Sequence, residues 1–337
     1  MKDQILVPLD GSELAESILP NALSVAHITG SSLVLLHAMH SLSVAETMSG
    51  MFPVTPSVWE SWEEETKLAQ NYVVSIAKRL TKTGLTVQTE VVEGEAATVI
   101  VNYAKDHPLV RMIAMATHGR SGLGRLILGS VADRVLHTSP APVLLVRTKG
   151  QSHADQLELA GSAPAPYKTI LVPLDSSLLA EQALEHAVSL AKTEDTTLLL
   201  VTVLPNPQER IGFSDDYAPL WLEEVQKSET NRLRDYILSV AQKLRRRGLK
   251  VQTETPTGNP AAAVLRTAMK QQVDLIVMTT HGRSGFERLW LGSVATNIVH
   301  QSNCPILLVR VTEQVPQQQP DRQLAPEQPN LEQGIAH

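Results

Sequence analysis

The residues best placed to do chemistry in this chain are glycines and one hydroxyl. In THGRSGLGRLILGSVA, residues 117–132, glycines stand at 119, 122, 124 and 129, and Ser130 follows the last of them. Glycine has no Cβ and takes left-handed conformations at little cost, so its N–H groups can approach an anion closely. Ser130 opens a predicted helix, where its hydroxyl and the unpaired first-turn amides are suited to a phosphate and the helix dipole attracts negative charge. Arg120 and Arg125 add countercharge. Plain turn and N-cap chemistry selects the same residue types, but the loop is longer than a simple connection requires. His118 lies beside it without a carboxylate or nucleophile at fixed spacing, so acid–base catalysis is not expected.

The constellation occurs twice. Residues 280–295 read THGRSGFERLWLGSVA, identical at thirteen of sixteen positions, and His281 repeats His118. ILVPLD at 5–10 recurs at 170–175, and PVLLVR at 142–147 returns as PILLVR at 305–310, in the same order and nearly the same spacing. Each half is therefore one copy of a single unit. Asp10 and Asp175 close the first predicted strand of each copy, and two readings stand: turn formers or helix caps, or ligands of a ribose or a metal.

Such loops need a scaffold, and the rest of each copy supplies one. Residues 4–9 form a short apolar run stopped by a turn, as a strand buried on both faces should. Residues 13–29 then take helical spacing, with Leu14, Ile18, Ala22, Val25 and Ala26 on one face and Gly30 as the stop. A strand at 33–38, a long helix at about 57–83 with acid at its front, an alternating edge strand at 86–92, a helix at 96–105 and a strand at 110–116 precede the glycine loop. A helix at 130–137 and a strand at 143–147 follow it. Strands alternating with helices predict a doubly wound α/β fold with a five-stranded parallel sheet flanked by helices in each copy. Ligands of such sheets sit beyond the carboxyl ends of the strands, where chain order reverses. The expected organisation is a first domain over 1–148, a linker over 149–166, a second domain over 167–311, and a disordered Gln- and Pro-rich tail over 312–337.

Composition narrows the partners. With 43% hydrophobic residues, 19% charged residues and a formal net charge of -6, the chain reads as an ordinary globular protein. Nucleic acid and anionic membrane are not expected partners, since each requires a clustered basic surface. The one cationic run, at 243–250, sits at the end of a predicted helix, where cations suit the dipole. A single cysteine, Cys304, rules out an internal disulfide and reads as an inert buried thiol. No stretch is apolar enough for a membrane span and no leader pattern opens the chain, so the cytoplasm is the expected compartment.

Both halves resemble universal stress protein domains. That family's ATP-binding signature is Gly, two residues, Gly, nine residues, Gly and then Ser or Thr. Here the first copy has Ala116, Gly119, Gly129 and Ser130 at those positions, and the second has Thr279, Gly282, Gly292 and Ser293. The resemblance implies Rossmann-like, adenine nucleotide alpha hydrolase-like domains. It further implies that Pro8, Leu9, Asp10 and Ala38 contact adenosine, while Met115, Gly119, Arg120, Gly129, Ser130 and Val131 contact ribose and phosphates. The matching second set is Pro173, Leu174, Asp175, Val203, Met278, Gly282, Arg283, Gly292, Ser293 and Val294. ATP, ADP or AMP is the implied ligand, with Mg2+ on its phosphates. Ala116 and Thr279 depart from the first signature glycine, the β-branched Thr279 being the larger obstruction, and Glu287 replaces Gly124, so the first copy is the expected site. A stress sensor or regulator is expected, and a nucleotide-free scaffold or a weak ATPase is the alternative. The resemblance also implies pairing of the two last strands into an internal pseudo-dimer, with a homodimer and a protein partner of unknown identity beyond it.

Overall fold

The computed structural model describes residues 2–39, 56–117, 128–147, 167–193, 195–205, 220–280 and 291–310. The proposed linker and the Gln- and Pro-rich tail lie outside them. The first copy runs β1 (Gln4–Pro8), α1 (Glu13–Glu16), α2 (Leu19–Thr29), β2 (Ser32–Met39), α3 (Pro56–Thr81), β3 (Val87–Glu93), α4 (Ala96–Asp106), β4 (Val110–Ala116), α5 (Ser130–Thr138) and β5 (Val143–Val146). The second runs β6 (Thr169–Pro173), α6 (Leu178–Leu190), β7 (Thr197–Val201), α7 (Leu220–Arg246), β8 (Lys250–Glu254), α8 (Pro260–Lys270), β9 (Leu275–Thr279), α9 (Ser293–Gln301) and β10 (Ile306–Val309).

All ten strands form one sheet in the order β3-β2-β1-β4-β5-β10-β9-β6-β7-β8. Within each copy the five strands are parallel. Between copies β5 and β10 pair antiparallel, with Leu144 opposite Leu307. The expected pairing of last strands is thus present within one chain.

Strand periodicity divides the core. Ile5 and Val7 point to the face covered by α2 and, in the second copy, α6, while Leu6 points to the face carrying α4, α5, α8 and α9. Side chains such as Ile5, Leu6, Leu33, Leu35 and Leu144 are nearly or wholly buried. Each such burial stabilises the fold by about 1.5–3 kcal/mol. β3 keeps the alternating exposure expected of a strand at the sheet margin.

One helix departs from expectation. The continuous helix predicted over 13–29 is two, α1 and α2, broken at Ser17 and Ile18. Pro20 explains the break: it has no N–H to give the Glu16 carbonyl, and its ring would clash there. In the second copy Glu185 occupies the matching position, and α6 continues unbroken. α2 ends as predicted at Gly30, whose φ of 73° is left-handed.

The cationic run behaves as a helix terminus. Arg245 donates to the Val251 carbonyl at 3.2 and 2.8 Å, and Arg247 pairs with Glu185 at 2.8 Å. Cys304 is half-buried, its Sγ 3.4 Å from the Ser302 hydroxyl.

Candidate functional site

In the first copy the chain lays down β1, β2 and β3 toward one edge and then returns to place β4 and β5 on the other side of β1. The reversal falls between β1 and β4, where a doubly wound sheet opens a crevice. Two loops meet its rim: the one after β1 and the one joining β4 to α5.

The β1 loop is built around its aspartate. Asp10 Oδ1 accepts from the Ser12 backbone N–H at 3.0 Å and from the Ser12 hydroxyl at 2.6 Å, and Ser12 Oγ accepts from Ala15 N–H at 3.1 Å as the N-cap of α1. Asp175, Ser177 and Ala180 repeat this at 3.0, 2.6 and 3.1 Å. The residue between is left-handed in both copies, Gly11 at φ 84° and Ser176 at φ 67°. Ser176 accepts the strain that Gly11 avoids. Oδ1 of each aspartate is therefore committed to the turn. Pro8 and Pro173 end their strands. Leu9 and Leu174 are buried, and their N–H groups bond the Leu36 and Val201 carbonyls at 2.9 and 2.8 Å.

The second loop is closed at its base. Thr117 N–H donates to Val146 O at 2.9 Å, and Gly129 N–H donates to Thr117 O at 2.8 Å. Thr280, Val309 and Gly292 repeat the clasp at 3.0 and 2.9 Å. The loop interior, including Gly119 and Arg120 and, in the second copy, Gly282 and Arg283, lies outside the described residues.

The helix leaving this clasp starts at a glycine. Side chains cap α1, α4, α6 and α8: Ser12, Glu95, Ser177 and Asn259 each accept from first-turn amides. α5 and α9 instead begin at Gly129 and Gly292, extended at φ -61°, ψ 145° and φ -63°, ψ 152°, with no side-chain cap. Ser130 and Ser293 are thus the first helical residues and not the caps, and both are exposed. The donor set suits the outer oxygens of a phosphate chain, since N–H groups at a helix start lack intrahelical partners.

Apolar residues stand at the strand ends and helix starts beside these loops. Met115 belongs to the core on the α5 face, and Ala38, Leu128 and Val131 pack half-buried against that same core. Met278, Val203, Leu291 and Val294 do so in the second copy. Ala116 and Thr279 end β4 and β9 with their side chains buried.

One pair of contacts was missed from sequence. Tyr72 on α3 donates its hydroxyl to Glu16 Oε1 at 3.1 Å, and Tyr236 on α7 donates to Glu181 at 3.0 Å. Burial first, then the carboxylates of Glu16 and Asp10, or Glu181 and Asp175, pushes each phenol well above its ordinary range. The recurrence of Tyr and Glu at matching places in both copies was the available signal.

Fold and crevice together define a duplicated, doubly wound α/β protein with an anion-suited helix start in each copy. A model of the universal stress protein family matches residues 1–147 and again 166–310, so the chain belongs to that family. A universal stress protein of Mycolicibacterium smegmatis is 27% identical over 308 residues, 91% of this chain and 96% of that one. Another, from Methanocaldococcus jannaschii, is 32% identical over 144 residues, 43% of this chain and 82% of its own. The crystal structure of a universal stress protein from Archaeoglobus fulgidus shares the fold over 92% of this chain and 99% of its own, with 19% identity and a TM-score of 0.64.

Proposed function

We propose that this universal stress protein binds an adenine nucleotide, ATP or its ADP and AMP relatives, and acts as a cytoplasmic stress-response sensor or regulator. The observation that carries this reading is the pair of helices begun by glycine with no side-chain cap, where α1, α4, α6 and α8 are capped by side chains; α2 also lacks a side-chain cap, but it starts at Ile18 directly behind α1 with Pro20 in its first turn. A cap residue would have occupied the amides that a phosphate needs.

In this reading the β1 loop at Pro8, Leu9 and Asp10 and the half-buried Ala38 flank adenosine. Met115 and Val131 bound the ribose side, and Gly119, Arg120, Gly129 and Ser130 take the phosphates. Pro173, Leu174, Asp175, Val203, Met278, Gly282, Arg283, Gly292, Ser293 and Val294 repeat the set. We assign the second copy the weaker site because of Thr279 and Glu287. In this reading Mg2+ would ride on the nucleotide's phosphates. The loop lacks the Gly-Lys-Ser or Gly-Lys-Thr end whose lysine reaches the outer phosphates in fast ATPases, so slow turnover at most is expected. No helix among the described residues is long and apolar enough to cross a membrane. The domain limits proposed with this function are 1–148 and 167–311.

Denaturing the purified protein and chromatographing the small molecules it releases tests the reading. Adenine nucleotide in the supernatant, or calorimetric binding of added ATP, is expected. Neither being found would leave the nucleotide-free scaffold. A phosphate-release assay then separates a sensor from an ATPase.

A further inference from the structure

We infer that Arg310, which belongs to the second copy, is a positioning residue for the nucleotide site of the first, and that Arg147 plays the reciprocal part; this rests on the site proposed above. At the seam Leu308 pairs with Val143 and Ile306 with Leu145, so the residue ending each last strand reaches the helix end of the other copy. Arg310 Nη1 donates to the Ser139 carbonyl at 2.9 Å. Arg147 Nη1 donates to the His300 carbonyl.

Ser139 closes α5, the helix whose first turn faces the proposed phosphates. Its hydroxyl is already spent, donating to Ala141 O at 2.7 Å and accepting from Ala141 N–H at 3.1 Å. Its carbonyl is taken by Arg310 of the other copy. α5 is held by its buried face at Ala132, Val135 and Leu136, by the Gly129–Thr117 bond at its start, by Arg134, which pairs with Glu95 of α4 at 3.0 Å, and by Arg310 at its finish. A helix of 9 residues is about 13 Å long. So short a rod tilts as a unit, and loosening one end displaces the donors at the other. The guanidinium also offsets the negative pole of the helix whose positive pole serves the ligand. His300 lies in the last turn of α9, which makes the arrangement reciprocal. The helix that carries each proposed site is therefore braced at its far end by the neighbouring copy.

The test uses the full chain with ATP as probe, reading amide shifts at Ser130–Ala132 and at Ser293–Ala295 so that the two sites titrate separately. R310M is expected to weaken binding at the first copy roughly threefold to tenfold, with a smaller change at the second. R310K, which keeps charge and a donor, is expected to recover part of the loss. Tyr167→Phe is the control, because Tyr167 Oη meets Asn21 Oδ1 of the other copy at 3.4 Å on the opposite face of the sheet. It should leave first-copy affinity at the wild-type value. Unchanged affinity in R310M, or equal weakening by Tyr167→Phe, overturns the inference, the latter by exposing a general seam effect. If R310M does not fold cooperatively, R310Q carries the same comparison. A wild-type chain with no ATP-dependent shift at either helix removes the proposed site and this inference together, which differs from a binding wild type with an indifferent variant.

Discussion

At the scale of single residues, the decisive feature is the side chain that Gly129 and Gly292 lack. Both have the extended backbone of an N-cap, a conformation that an acidic residue also adopts. Gly129→Asp is expected to stabilise the fold by about 0.5 kcal/mol through capping and dipole. It should also abolish nucleotide binding by filling the same amides. Thermal unfolding and calorimetry on one variant check both halves, and a stable variant that still binds would count against the site. The buried phenols give a pH signature. Tyr72, Tyr167 and Tyr236 all have folded pKa values above the unfolded value near 10. The native state then holds its protons longer than the unfolded one. Their contribution is complete below about pH 10 and is lost as pH rises beyond it. Tyr72→Phe with Tyr236→Phe should cost about 1 kcal/mol per lost hydrogen bond at neutral pH and flatten that alkaline decline, as denaturant titrations from pH 8 to 11 would reveal.

At the scale of elements, the two copies are a natural comparison of one helix with and without a proline. Glu185→Pro should break α6 and cost about 3 kcal/mol, through the bond withdrawn from Glu181 and the ring clash. Pro20→Ala should change stability by less than about 1 kcal/mol, since the break at Ser17 and Ile18 already accommodates it. Urea denaturation of both variants tests this, and equal costs would mean that proline does not set the break. The apolar spacing favours a single helix here, because Leu14, Ile18, Ala22, Val25 and Ala26 keep one face across the break. Spacing reports burial, and burial survives a local break. The strands were legible nearly residue by residue, because runs such as Ile5 to Val7 are apolar and stopped by turns. The cap of α5 was not, because Gly129 and Ser130 both suit an N-terminus, and only backbone angles separate cap from first residue.

At the scale of the whole molecule, the seam turns two copies into one sheet. Leu144 and Leu307 face each other across it, both fully buried, and one core cluster draws residues from both copies. Thermal unfolding is expected as one transition, with calorimetric and van't Hoff enthalpies in agreement. Two resolved transitions would mean the copies unfold independently. The outer edges discourage further strand pairing: β3 exposes Gln88, Glu90 and Glu93, and β8 exposes Lys250 and Gln252.

By itself the sequence determined the duplication, the alternation of strand and helix, and the apolar runs that become buried strands. These properties come from short-range sterics, periodicity and the parallel order that crossovers impose. The tertiary structure alone decided that Tyr72 meets Glu16 across 56 residues and that Arg310 meets Ser139 across 171. It also left the starts of α5 and α9 without a side-chain cap. Such choices depend on which side chains converge after packing, and no local pattern encodes that convergence.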